Sequence, residues 1–255
     1  MTYEERIEKY IELCEQGVSR KGISETMGIG MRTVTNYQKI SGVKATKVTR
    51  QPNLNKNYFS VIDTEKKAYI LGFIFADGYL ESNERTVTLN IHKKDIDILY
   101  KIKEELNCGN EIRKSSTESC VRLYLSSMDL VEDLKKIGMT TNKSLTIPFP
   151  KIEDKLCRHF IRGFFDGDGH VGKRQCALVI GSPLFYKGFS EQILKRFGKT
   201  LYKNEMGNYS RVQLNRRDHD IVKWIYNDSE IHLDRKYKEY LEHWSNYTER
   251  IRSRG

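Results

Sequence analysis

Apolar residues recur along this chain at two periods, and the switches between them mark its elements. Ile7, Tyr10, Ile11 and Cys14 share one helical face, so residues 3–16 read as an amphipathic helix. Ser19 can cap a short helix with Ile23 and Met27 inward, Ser24 leaves room for a crossing helix, and Gly28 suits a tight turn. A helix from about Met31 then buries Val34 and Tyr37. From Ile62 the pattern gives a helix over Glu65–Asp77, a period-two strand over Thr86–His92, and a helix over 95–107. A hairpin of 111–114 with Cys120–Ser126 and a helix over Met128–Ile137 follow. The order then starts again: helix 156–168, strand Cys176–Ile180, helix 185–197, paired strands 200–202 and 211–215, and helix His219–Tyr226. The economical reading is α+β, with a duplicated αββαββα unit behind a small all-α segment.

The opening helices of the two units end alike. One runs Tyr69-Ile70-Leu71-Gly72-Phe73-Ile74-Phe75-Ala76-Asp77-Gly78, the other Phe160-Ile161-Arg162-Gly163-Phe164-Phe165-Asp166-Gly167-Asp168-Gly169. Gly72 with Ala76, and Gly163 with Gly167, sit four apart and share a face, so two such helices can approach backbone to backbone. Each Asp falls in the last turn before a Gly that can take the left-handed conformation ending the helix. A carboxylate is disfavoured there, because the helix C-terminus already carries partial negative charge. Two of them side by side repel unless a cation lies between, which suggests a metal site at a symmetric seam. The interval from Asp77 to Asp168 (168 − 77 = 91) nearly equals that from Lys143 to Lys236 (236 − 143 = 93).

Charge narrows the partner. Among 255 residues, 44 Lys and Arg against 34 Asp and Glu give +10, which favours a polyanion, nucleic acid before an acidic membrane surface. No apolar run is long enough to span a bilayer and the first residues do not open a signal peptide, so an intracellular, cytoplasmic protein is expected. Five scattered cysteines without a CxxC pair read as reduced thiols. The run Asp166-Gly167-Asp168-Gly169-His170 fails as a calcium loop, since Val171 stands where position six needs Gly and Ala177 stands at position twelve. The six histidines show no metal-binding spacing.

The paired motifs resemble the signature of LAGLIDADG homing endonucleases in their single-chain, two-motif form, over residues 62 to about 240. That resemblance implies two pseudo-symmetric αββαββα units whose four-stranded sheets form a saddle over the major groove of double-stranded DNA. It implies a monomer, a long pseudo-palindromic target, and Mg2+ held by Asp77 and Asp168, with Mn2+ or Ca2+ able to substitute in binding. Lys143 and Lys236 then match the family's basic residue near the cleavage centre, which would polarise water or stabilise the phosphate. Asp166 is expected to be structural, because Phe75 fills its place in the first motif.

Contacts to DNA are expected from two regions. Residues 1–42 resemble a helix-turn-helix with Arg32, Thr33, Thr35, Asn36 and Lys39 as readers, although a packing hairpin has the same pattern. Residues 43–60 form a basic linker whose Lys44, Lys47 and Arg50 can follow a phosphate backbone. The polar strand faces, in repeats 61–150 and 151–240, offer Thr86, Thr88, Asn90, Arg122, Tyr124, Arg211, Gln213 and Asn215; a basic tail, 241–255, follows. The expected activity is site-specific, metal-dependent hydrolysis of double-stranded DNA by an intron-encoded or free-standing enzyme. An intein is not expected, because the chain opens without a nucleophile and ends Arg252-Ser253-Arg254-Gly255. The alternatives are a non-catalytic transcriptional regulator on the same fold and a maturase that binds intron RNA.

Overall fold

The computed structural model describes residues 1–45, 53–115, 117–141 and 143–247, and the chain divides into two units, Met1–Arg50 and Gln51–Gly255. The first unit holds three helices, α1 (Tyr3–Glu15), α2 (Arg20–Met27) and α3 (Met31–Ser41). Local chemistry sets each end. Thr2 and Glu5 form a capping box at α1, the Ser19 hydroxyl accepts from the Gly22 amide at α2, and Gly28 turns the chain with a left-handed φ of 63°. The Ser24 hydroxyl donates to the Ile29 carbonyl across that turn, at 2.5 Å. Tyr10, Leu13, Ile23, Val34 and Tyr37 form a core of the unit's own.

The second unit repeats one pattern. In chain order it runs α4 (Glu65–Asp77), β1 (Gly78–Leu80), β2 (Thr86–His92), α5 (Ile96–Glu105), β3 (Arg113–Lys114), β4 (Cys120–Ser126), α6 (Met128–Ile137) and a short α7 (Lys143–Thr146). The second round is α8 (Asp154–Asp168), β5 (Gly169–Val171), β6 (Cys176–Ile180), α9 (Pro183–Phe197), β7 (Lys203–Glu205), β8 (Ser210–Leu214), α10 (His219–Tyr226) and α11 (Asp234–His243). Each repeat makes a four-stranded antiparallel sheet, ordered β1-β2-β4-β3 and β5-β6-β8-β7. Period-two alternation puts Val87, Leu89, Leu123 and Leu125 of one sheet, and Leu178, Ile180, Val212 and Leu214 of the other, into one continuous core with α4 and α8.

Two expectations are corrected. β1 and β5 fill the first strand position of the expected αββαββα order, though at three residues each they are too short to show a period. The strand expected at 200–202 lies at Lys203–Glu205, because Leu201 is buried and its carbonyl accepts from the Tyr186 hydroxyl at 3.1 Å. Gly78 and Gly169 are extended rather than left-handed (φ −77° and −100°), so each motif helix runs straight into a strand. Glycine serves space there: a Cβ on Gly78 would come 2.6 Å from the Ile74 carbonyl oxygen, and one on Gly169 2.7 Å from the Phe165 ring.

The α4–α8 seam allows no side chain at its crossing. A Cβ on Gly72 would overlap the Phe160 carbonyl oxygen and sit 2.9 Å from the Phe164 nitrogen; one on Gly163 would overlap the Tyr69 carbonyl oxygen and sit 2.8 Å from the Phe73 nitrogen. One step on, a Cβ on Gly167 would strike that of Ala76. Gly163→Ala is expected to cost ~3 kcal/mol or more in urea unfolding, since backbone must move to admit it. Gly109→Ala, where a Cβ meets nothing within 4 Å, should stay within ~0.5 kcal/mol.

Candidate active site

The seam sets the last residues of α4 and α8, Asp77 and Asp168, at neighbouring helix ends. A Cβ on Gly167 would stand 3.1 Å from Asp77 Oδ2, which fixes how close the first carboxylate is to the second helix. Asp77 is half-buried and Asp168 is open to solvent. Burial, and then the charge of Asp168, push the Asp77 carboxyl up to about 7. Burial raises the Asp168 carboxyl too, against the pull of Lys143 and Lys236, although water reaching it from one side leaves Asp77 the better insulated.

The lysines answer the electrostatics in a way the sequence did not show. Lys143 is buried and donates to the Phe75 carbonyl at 2.6 Å and to the Ala76 carbonyl, the last turn of α4. Lys236, also buried, donates to the carbonyls of Phe165 (3.1 Å), Asp166 (2.5 Å) and Gly167 (3.4 Å), the last turn of α8. Each ammonium therefore sits at the negative end of a motif helix. The placement is also crosswise: Lys143 shares a cavity with Asp168, and Lys236 shares one with Asp77. Burial lowers both lysines, while the carboxylates act to keep them charged.

Asp166 is a support. It is buried and accepts from the Tyr69 hydroxyl (2.7 Å), the Tyr226 hydroxyl (2.6 Å) and the Leu233 amide (2.7 Å). Those bonds tie α4, α8 and α10 to the segment that delivers Lys236, and three donors satisfy a carboxylate that could not otherwise be buried. Nearby, the fully buried Arg162 donates to the carbonyls of Ile231 (2.9 Å) and Ile225 (3.1 Å) and to Glu65 (2.5 Å). Against burial, which pushes it up, Glu65 is held down at about 2 by His159 and Arg162.

The cavities at the two carboxylates differ. The Asp77 cavity, about 220 Å³, is polar and includes Asn90, His92, Asp95, Arg235 and Lys236. The Asp168 cavity, about 330 Å³, is walled largely by Phe75, Leu145, Phe164, Val179 and Phe185.

Strand register sorts the expected surface residues. In the first sheet Tyr79, Thr88 and Tyr124 form one cross-strand row, and Asn90, Arg122 and Arg113 the next. In the second sheet the matching rows are His170, Ala177, Gln213 and Val179, Arg211, Asn204. Arg122 Nε donates to Asn90 Oδ1 at 3.3 Å, and Thr86 bonds the Ser126 hydroxyl at 3.0 Å. Two members stand apart from the rest. Thr88 is buried under Glu81, to which its hydroxyl donates at 2.7 Å, and Asn215 lies beyond β8, where its backbone N–H donates to Asp218 Oδ2 at 2.9 Å. Tyr79, His170 and Arg113 are exposed members of these rows that the sequence reading missed, two of them because they lie on the short strands.

In the first unit Arg32, Thr33, Asn36 and Lys39 line one open face of α3. Thr35 lies on that face too, but its hydroxyl donates to the Met31 carbonyl at 2.9 Å and accepts from Arg20, which makes it a support for that arginine. Lys44 is exposed; Lys47 and Arg50 lie outside the described residues.

Between the ordinary carboxyl value of 3.8 and about 7, the folded chain keeps a proton on Asp77 that the unfolded chain has released. Without divalent metal, this group's contribution therefore makes stability fall as pH rises through that window. Asp77→Asn should remove that slope and raise the melting temperature near pH 7.5 in EDTA, by roughly 2–4 °C for each kcal/mol of relief. Melting curves of both proteins from pH 4 to 8 check this; a lower melting temperature for the variant at pH 7.5 contradicts it.

Residues 155–244 match the family model for the LAGLIDADG-like domain. Over 190 residues the chain is 22% identical to the replication factor C small subunit of Methanocaldococcus jannaschii, covering 70% of this chain and 10% of that protein. It spans less than half the length of the curated relatives it matches. Among solved structures, I-SmaMI bound to uncleaved DNA with calcium ions is similar at a TM-score of 0.53 and 15% identity, over 76% of this chain and 93% of that one. Full-length DUF199/WhiA from Thermatoga maritima aligns at 0.48 and 15%, over 74% and 64%. Residues 155–244 are therefore LAGLIDADG-like, and over about three-quarters of its length the chain shares the fold of the LAGLIDADG homing endonuclease I-SmaMI.

Proposed function

We propose that the chain is a site-specific, divalent-metal-dependent endonuclease of double-stranded DNA, with Asp77 and Asp168 as its metal-binding carboxylates. The observation that carries this reading is the pair of acids held at adjacent helix ends, with Asp77 pushed to about 7 by burial and by its partner's charge. Among the described residues no three His, Cys, Asp or Glu side chains gather into a metal site. That donor set fits Mg2+, which binds through one or two carboxylates and completes its shell with substrate phosphate and water. Such a cation would supply charge neutralisation on the attacked phosphate and a more acidic water. The chain's own residues orient and neutralise. Lys143 and Lys236 hold the helix ends and set a positive field over both acids, and with their N–H groups engaged by carbonyls they act through charge.

The two sheets offer Asn90, Arg122, Tyr124, Arg211 and Gln213 to base edges and phosphates, and α3 offers a second polar face for a longer site. DNA bound in the crystal of I-SmaMI supports a duplex as the partner of this fold. The sheets and α3 serve a regulator equally well, so catalysis rests on the acids.

A randomised duplex library supplies a preferred site, which is then incubated with protein and Mg2+ or EDTA. Mg2+-dependent cutting of both strands is expected. Asp77→Asn and Asp168→Asn should each lower double-strand cleavage by ~10³-fold or more while binding in EDTA stays within about threefold. Tight binding without metal-dependent cutting makes the chain a regulator instead. Deleting residues 1–42 should shorten the footprint and weaken binding, leaving cleavage in place at higher protein concentration; an unchanged footprint reduces the first unit to a packing module.

A further inference from the structure

The two carboxylate ends are unequal in a way that the pseudo-symmetry does not require. Beside Asp77, Arg235 Nε and Nη2 donate to Asp95 Oδ1 and Oδ2, each at 3.0 Å, in a two-pronged pair. Both residues line the Asp77 cavity; the Asp95 side chain is 15% exposed and that of Arg235 48%. At the Asp168 end the matching positions carry neither an arginine nor an acid. The residue before Lys143, matching Arg235, is Asn142, and the residue capping α9, matching Asp95 before α5, is Ser182.

A guanidinium is a planar fork with five N–H donors, and a carboxylate on one edge leaves the other edge free. The partner that suits such an edge is a phosphate, which accepts two parallel N–H bonds. Lys101 braces the same corner, donating to Asp234 at 2.5 Å and to the His232 carbonyl at 3.1 Å, so the residues just before Arg235 are fixed to α5 as well. The arginine is thus oriented before any ligand arrives, at the mouth of one acidic cavity.

We propose that Arg235, clamped by Asp95, is a phosphate-binding residue for the DNA strand that reaches the Asp77 end, so that the two strands meet unequally equipped half-sites. This rests on the nuclease reading above.

The test uses the full chain with supercoiled plasmid carrying the selected site, and Arg235→Gln and Arg235→Lys variants. With Mg2+, Arg235→Gln should slow cutting of one strand ~10–100-fold and the other by less than about threefold. Nicked circle then accumulates, and end labelling finds the intact bond always in the same strand. Arg235→Lys, with charge but no fork, should recover only part of that rate. In EDTA, the salt dependence of duplex binding by Arg235→Gln should fall by about one phosphate equivalent.

If Arg235 only docks α11, its loss shifts Lys236, whose ammonium caps the helix that ends in Asp168. Both strands then slow together, Asp95→Asn does the same, and the salt slope is unchanged; that result overturns the proposal. A wild-type chain that cuts neither strand counts against the nuclease reading alone, because the salt slope in EDTA still reports whether Arg235 meets a phosphate.

Discussion

The backbones of α4 and α8 cross so closely that neither Gly72 nor Gly163 can carry a Cβ without striking the opposite chain. Everything at the candidate site follows from that approach. It brings two helix C-termini together, each with its partial negative charge, and adds a carboxylate to each. Such an end is unstable by itself. The fold meets half of the problem with Lys143 and Lys236, which are buried against the last carbonyls of α4 and α8. A buried ammonium is costly unless its hydrogen bonds are made, and here helix-end carbonyls make them. The other half, an acid buried beside the charge of its partner, stays in the structure as the raised Asp77 carboxyl. Under the proposed function, a cation would relieve that strain by displacing the proton, with its remaining ligands coming from a phosphate.

Symmetry of backbone does not bring symmetry of chemistry. Both repeats share strand order, helix order and the lysine at the helix end, yet one acid faces a polar cavity and the other a largely apolar one. The same holds for the sheets, where Thr88 and Ala177 occupy matching register positions, as do Asn90 and Val179. Under the proposed function, a duplicated unit reading a pseudo-palindrome would have reason to diverge in this way, since each half would meet a different sequence.

Much of this was legible in the sequence. The motif helices announce themselves through small residues at i, i+4 followed by an Asp, and the repeat intervals link Asp77 to Asp168 and Lys143 to Lys236. Long amphipathic helices and the seven-residue strands carry enough turns of their period to be read. β1 and β5 do not, at three residues each, and with them Tyr79 and His170 were missed. The role of the lysines was hidden for another reason. Matching positions show that two residues are equivalent, whereas the carbonyls they meet are fixed by tertiary packing. Thr88 looked like a surface residue by alternation, and only the fold brings Glu81 over it. The pairing of Asp95 with Arg235 has no local signal at all, because the two come from different repeats.

The central claim, that Asp77 and Asp168 together hold divalent cation against a DNA phosphate, is tested most directly by calorimetric titration of Ca2+ into the protein bound to its selected duplex. Saturable Ca2+ uptake is expected for the wild-type complex, with none above background for the Asp77→Asn, Asp168→Asn double variant bound to the same DNA. Equal uptake by both complexes, or uptake by neither, contradicts the account.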